Sequence, residues 1–283
     1  MCLVRKIMKS TIEQLKKYID EAEYVVIGAG AGLSTAAGFE YGGATFLKHF
    51  KRMHDLYGYT DMYSAGFHNF KTSEEKWGYW SKFIYLNRYS GVKQLYLDLF
   101  EIVKDKNYFV LTTNVDHQFQ LAGFDKSRLF YTQGDYGLFQ CSTPCHNKTY
   151  DNEEQVRKMV EEQVDGFIPS YLIPHCPVCG EEMDMNLRKD DAFVEDDGWH
   201  RAAERYSAFI QKAQGGKVLY LELGVGMNTP VIIKYPFMNL TYKNKNAHYV
   251  SVNLGGGRIP LEIADRSLVI DADIKDVIEE LKM

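Results

Sequence analysis

A chain of 283 residues that is 45% hydrophobic and 25% charged can bury one large core or two smaller ones, which excludes a disordered protein. A net charge of -5 and a pI of about 5.9, without any basic block, exclude the electrostatic footprint of a nucleic-acid binder. No apolar run is long enough for a membrane span, and the opening MCLVRKIMKSTIEQLKKYI lacks the apolar core and small-residue cleavage site of a secretory leader, so a cytoplasmic location is expected.

The first expected element is an amphipathic helix, because Ile12, Leu15 and Ile19 recur at helical spacing with Glu13, Lys16, Lys17 and Asp20 between them. Apolar, β-branched runs then alternate with helical patterns: YVVIGAG at 24–30, NYFVLTTN at 107–114, KVLYLELG at 217–224, AHYVSVN at 247–253 and SLVI at 267–270. Short buried strands separated by helices predict an α/β fold, a Rossmann-like doubly wound parallel sheet covered on both faces. Two stretches break the rhythm. Residues 45–105 are crowded with aromatics and read mostly as helix, and 135–205 hold four of the five cysteines. The expectation is a large nucleotide-binding domain from 1–44, 106–134 and 206–283, and a small domain, a helical module plus a zinc module, from 45–105 and 135–205.

In VVIGAGAGLSTAAGF a strand ends at Ile27, Gly28, Gly30 and Gly32 alternate, and STAAG opens a helix whose free N–H groups and dipole suit an anion such as pyrophosphate. The glycines would equally serve a tight strand-to-helix crossover that needs them only for packing. No acidic residue ends a second strand about 20 residues on, which disfavours hydride transfer. Further along, Asn114 and Asp116 fall just past the carboxyl end of a strand, where open α/β sheets bind ligands; both residue types could also simply cap the helix VDHQFQLAG. YTQGDYG at 131–137 contributes Gln133, an amide that can orient a group but cannot take its proton. ELGVGMNTP at 222–230 runs from a strand into small and polar residues, ahead of a helix expected to begin near Thr229 and Pro230. Three strand ends then point at one crevice.

Cys141 and Cys145 form one pair, and Cys176-Pro-Val-Cys179-Gly, after 30 intervening residues, forms the other. This spacing reads as a closed tetrahedral zinc site, structural because four thiolates leave no open position for catalysis. Disulfides do not suit a reducing cytoplasm, and reduced buried cysteines are the alternative. His146 and His175 sit beside the pairs, as substitute ligands or as surface histidines.

Together these motifs carry a resemblance. GAGLS at 30–34 with Gly38, TTNVD at 112–116, a polar residue followed by glycine at 133–134, the cysteine pairs, GVGMNTP at 224–230 and VNLGG at 252–256 follow an order that resembles the sirtuins, from Val25 to the C-terminal helix. FEYGGATF at 39–46 departs from the proline-aspartate-phenylalanine-arginine stretch of lysine-deacylating sirtuins, and Gln133 replaces the histidine that is their general base. Those departures, with MDMNLRKDDAF at 183–193, are similar to the class M sirtuins of microbes, for which the resemblance implies protein ADP-ribosyl transfer.

The resemblance implies Asn114, Gln133 and Arg188 as the residues of transfer, and four zinc ligands, Cys141, Cys145, Cys176 and Cys179. It implies NAD as cosubstrate, held by Gly30, Ala31, Gly32, Ser34, Gly38, Thr113, Asn114, Asp116, Gln133, Gly224, Val225, Gly226, Asn228, Thr229, Asn253, Leu254 and Ile274. It also implies a lipoylated glycine cleavage H-like protein as acceptor and a macrodomain ADP-ribosyl hydrolase as functional partner. Breaking the nicotinamide glycosidic bond needs positioning, exclusion of water and a nucleophile, none of which demands histidine, whereas sirtuin deacylation needs a base. Lysine deacylation through a proton relay and a silent NAD- or ADP-ribose-binding module are the alternatives.

Overall fold

The structure, a computed structural model, describes the backbone of residues 2–227 and 230–283 and the side chains from residue 10 onward within those spans. The chain begins with α1 (Cys2–Glu21), β1 (Tyr24–Ala29), α2 (Ala31–Ala36), α3 (Gly43–Tyr57), α4 (Met62–Gly66), α5 (Ser73–Arg88), α6 (Gln94–Val103), β2 (Tyr108–Thr112), α7 (Gln118–Leu121) and β3 (Leu129–Tyr131). It continues through β4 (Gly134–Cys141), β5 (Thr149–Asp151), α8 (Glu153–Glu162), β6 (Met183–Leu187), α9 (Asp197–Ala213), β7 (Val218–Leu223), α10 (Lys234–Lys243), β8 (His248–Val252), β9 (Ser267–Ile270) and α11 (Ile274–Lys282). Among the described residues no helix is long and apolar enough to cross a membrane.

Six strands form one parallel sheet in the order β3-β2-β1-β7-β8-β9. Its strands are mostly apolar because both faces are covered, with Thr112, Glu222 and Ser251 as buried polar exceptions. Val25, Ile27, Val110, Leu219, Leu221 and Val250 join the core shared with α1, α6 and α11, while Val26, Phe109, Leu111, Val218, Tyr220 and Tyr249 join the one shared with α9 and α10. Ile12, Leu15 and Ile19 of α1 are buried in the first core, as the helical spacing of the sequence requires. The chain leaves β1 for β2 on one side and later lays β7 on the other, so the strand order reverses between β1 and β7. Ligands bind at such a switch point, beyond the carboxyl ends of the strands.

The insertions form a smaller unit. An antiparallel sheet, β5-β4-β6, packs with α5 and α8 around Trp77, Phe139, Val156, Met159 and Met185. Beside it, α3, α4 and α5 enclose Phe46, Phe50, Met62, Tyr79 and Phe83. α4 and α5 begin on side-chain caps, Asp61 accepting from the Ser64 N–H and Thr72 from the Glu75 N–H.

Several expectations are corrected. α6 belongs to the large core, because Leu95, Tyr96, Leu99 and Val103 are buried against β1 and β2 and not with the aromatic insertion. α9 starts at Asp197 and covers the sheet as one continuous helix, so the boundary expected at residue 205 falls inside it. The helix expected from VDHQFQLAG is a single turn at Gln118–Leu121. α10 starts at Lys234, after turns at 230–233, and Asn228 and Thr229 lie outside the described residues. The short edge strand β3 and the whole antiparallel sheet were not anticipated.

Candidate active site

Three strand ends converge as the motifs suggested. β1 gives way to Gly30 and α2, β2 to Thr113–Asp116, and β7 to Gly224–Gly226. Gly224 has φ +64, and a Cβ there would lie 2.4 Å from the Leu33 nitrogen; Cβ atoms on Gly30 and Gly32 would in turn meet the Gly224 backbone at 2.7 Å. The glycines therefore let the β1 and β7 loops touch, and the Gly32 N–H donates to the Gly224 carbonyl at 2.9 Å. The Leu33 N–H donates to Gly30 at 3.0 Å, so α2, only six residues long, opens with fewer free donors than STAAG suggested. Of the two readings of these glycines, close packing is realised directly, and the crevice is its result.

The floor of the crevice is a polar cluster inside the core. Ser34 Oγ donates to Asp116 Oδ2 at 2.6 Å, the Asn114 amide donates to the Gly30 carbonyl at 3.0 Å, and the Gln118 N–H donates to Asp116 Oδ1 at 3.1 Å. The Tyr96 hydroxyl reaches all three side chains: Ser34 at 3.3 Å, Asn114 at 3.4 Å and Asp116 at 3.4 Å. Asn114 is thus not a helix cap. Asp116 caps α7 with one oxygen and uses the other in the cluster. Burial raises the Asp116 carboxyl above the usual carboxylate range, against the pull of the Ser34 and Gln118 hydrogen bonds. Burial, with the charge of Asp116 nearby, also raises the Tyr96 and Tyr41 phenols, so both stay protonated, and Tyr96 donates to Asp116. Tyr96 was hidden from sequence reasoning by its place among the aromatics of 45–105.

Gln133 stands at the next edge, half-buried, its amide donating to Thr132 Oγ1 at 3.2 Å. Arg188 lies directly beside it, since the Arg188 N–H donates to the Gln133 carbonyl at 3.0 Å. This closeness depends on Gly134, with φ +92, where a Cβ would fall 1.8 Å from the Asn186 carbonyl oxygen. The Arg188 guanidinium pairs with Glu195 and lies over Phe193, 4.3 Å from the ring centre. It edges a cleft of about 740 Å³ between α4, α5 and β6, together with Tyr63, Phe67, Trp80, Tyr136 and Lys189.

The remaining expected contacts are distributed around the rim. Thr113 donates its N–H to Ala29, and Gly38 follows α2 in a left-handed turn. Asn253 leans toward the β7 loop, its amide 3.5 Å from the Val225 carbonyl, and Leu254 is exposed. Ile274 places its side chain in the large core. The β7 loop is tied down at its far end, where the buried carboxylate of Glu222 accepts from Lys234, Tyr249 and Ser251.

The four cysteines come together, all sulfurs lying within 4.8 Å of one another. The Cys141–Cys179 and Cys145–Cys176 separations, 3.5 and 3.6 Å, are close to the ~3.8 Å edge of a zinc tetrahedron built on ~2.3 Å bonds. The donor set fits structural zinc. His146 Nε2 lies 3.4 Å from Cys176 Sγ, outside the set of four, and His175 Nδ1 turns to the Gly180 carbonyl.

No family model matches the chain. It is 42% identical over 268 residues to a Staphylococcus aureus protein named protein ADP-ribosyltransferase, covering 94% of this chain and 85% of that one. It is 27% identical over 277 residues to a Fusarium oxysporum f. sp. cubense protein named "Probable bifunctional ADP-ribose hydrolase/ADP-ribosyltransferase"; the match takes in 92% of this chain and 45% of that longer protein. Among solved structures it is similar to Sir2Tm bound to a propionylated peptide, with a TM-score of 0.61 at 17% identity over 95% of this chain and 96% of that one. It is also similar to a Sir2 homolog in complex with NAD, with a TM-score of 0.57 at 18% identity over 95% and 91% of the two chains. At such identities the likeness is one of fold.

Proposed function

Because this chain belongs to the sirtuin-type protein ADP-ribosyltransferases, we propose that it breaks the nicotinamide glycosidic bond of NAD in the crevice beyond β1, β2 and β7 and transfers the ADP-ribosyl group to a protein acceptor, releasing nicotinamide. The observation that carries this reading is Gln133, an amide at the edge of a crevice whose ionisable groups are engaged with one another. Asn114 is held by Gly30 and Tyr96 through its NH₂, which leaves its carbonyl oxygen to accept from a ribose hydroxyl. Gln133 can bond a second hydroxyl. Transition-state stabilisation by such fixed dipoles requires no proton transfer. Bound NAD supplies both the group transferred and the leaving base.

The cleft beside Arg188 serves the acceptor. Its wall is aromatic, with Tyr63 and Phe67 exposed, and its rim carries Lys71 together with Lys76, Lys189 and Arg188, which pair with Asp184 and Glu195. An acidic protein presenting a long apolar arm suits that wall and rim, which supports a lipoylated glycine cleavage H-like acceptor, with a macrodomain hydrolase removing the group afterwards. The setting is cytoplasmic, with no nucleic acid or membrane involved. Lysine deacylation is the second reading, and it lacks a base at the position of Gln133.

Intact-mass analysis of lipoylated acceptor incubated with enzyme and NAD tests the proposal. A gain of one ADP-ribose is expected, and Asn114→Ala should abolish it in folded protein. Loss of an acyl group from an acylated acceptor, or no mass change, would replace the proposal with deacylation or with a silent binding module.

A further inference from the structure

His117 is not used by the chemistry above, yet among the described residues it is one of two non-glycine residues with positive φ, at +63. The left-handed conformation costs a residue with a Cβ about 1 kcal/mol or more, so something must hold His117 there. Its Nδ1 is hydrogen-bonded to Asp135 Oδ2. Asp135 is nearly buried and its other oxygen accepts from Arg88 Nε at 3.2 Å and from the Gly137 N–H at 2.7 Å. One residue after Asp135 and two before His117, the Tyr136 N–H donates to the Val115 carbonyl at 2.9 Å.

These bonds carry the contact between two segments past the end of the β2–β3 pairing, where the Thr132 N–H donates to the Thr112 carbonyl at 3.0 Å, and into the loops beyond. His117 ends the loop that carries Asn114 and Asp116, and Asp135 follows Gln133 by two residues. We propose that the His117–Asp135 pair, braced by Arg88 from α5, is a clamp that sets the distance between Asn114 and Gln133, making His117 a positioning residue for transfer. The imidazole lines a cleft of about 780 Å³ with Arg88, Asp135 and Tyr131. His117 therefore acts through the backbone of its loop. The inference rests on the proposed reaction for its catalytic consequence and on geometry alone for the clamp.

Two variants separate the clamp from the fold. His117→Gly removes the ring and relieves the left-handed backbone, which offsets part of the lost bond to Asp135, so the protein should stay folded with only a small drop in melting temperature. His117→Asn also accepts positive φ, and its Nδ2 occupies the place of the imidazole Nδ1, so it can still donate to Asp135. Release of labelled nicotinamide from NAD should fall about tenfold or more in kcat for His117→Gly, with KM for NAD changed less than about twofold, and should be largely restored in His117→Asn. Hydrogen exchange should show 113–118 and 132–137 losing protection together in His117→Gly alone. Unchanged protection, equal kcat in the two variants, or a change confined to KM would overturn the clamp. If wild type releases no nicotinamide but the two segments still loosen together, the clamp stands and the proposed reaction fails.

Discussion

The N–H of Arg188 donates to the carbonyl of Gln133 at 3.0 Å, bringing together residues 55 positions apart in the chain. The bond is main-chain, so the guanidinium is free of any structural duty toward Gln133. It pairs with Glu195, both side chains being about one-third exposed, and such a pair contributes less than about 1 kcal/mol. Arg188→Ala should leave the melting temperature almost unchanged while transfer to protein falls about tenfold or more. Retained transfer would make Arg188 a surface residue.

Gln133→Ala should keep NAD binding and lose transfer, because the β1 and β7 loops that meet at Gly32 and Gly224 are untouched. Gln133→His restores a group with a pKa near 6.5, able to accept a proton at neutral pH. Little deacylase activity is expected even so, since FEYGGATF at 39–46 departs from the deacylase pattern. Isothermal titration with NAD and a deacetylation assay read the two variants. An efficient deacetylase from this one change would show that the base alone separated the two chemistries.

Tyr96→Phe deletes the hydroxyl that Ser34, Asn114 and Asp116 share while filling the same space. Leaving buried polar partners short of a bond costs about 1–3 kcal/mol, and denaturant unfolding should register it. Nicotinamide release should slow as well, because Asn114 loses one of its two anchors. An unchanged unfolding midpoint would mean that the cluster tolerates the loss.

Gly224→Ala forces a Cβ toward the Leu33 nitrogen at 2.4 Å from a residue already at φ +64. Backbone cannot rotate away as a side chain could, so the β1 and β7 loops must separate. A loss of about 2 kcal/mol or more in stability and a weakened NAD affinity are expected together. Tight NAD binding by this variant would show that the loop contact does not shape the crevice.

Cys176→Ser should lower folded yield and zinc content, because Cys141 and Cys176 are part of the core formed by Trp77 and Phe139. Elemental analysis of the wild type should find about one zinc per chain. A well-folded protein without zinc would instead leave four reduced cysteines.

Period and punctuation in the chain were enough to determine five of the six parallel strands, the amphipathic α1 and the two cysteine pairs. Each is a local signal: apolar β-branched runs, helical spacing at Ile12, Leu15 and Ile19, or ligand spacing. β3 escaped because three residues carry too little pattern, and the antiparallel sheet because β4 and β6 pair across more than 40 residues of intervening chain. α6 was misplaced because its aromatic composition matches its neighbours in sequence, while Leu95, Leu99 and Val103 turn it toward the other core. Asn114, Gln133 and Arg188 could be singled out through motif order, but what each touches was decided by tertiary contact. The Tyr96 hub, the meeting of Gly32 with Gly224 and the His117–Asp135 pair join residues from 18 to 192 positions apart. Bonds between such distant residues leave no periodic trace in the chain, because their partners are set by where whole strands and helices pack.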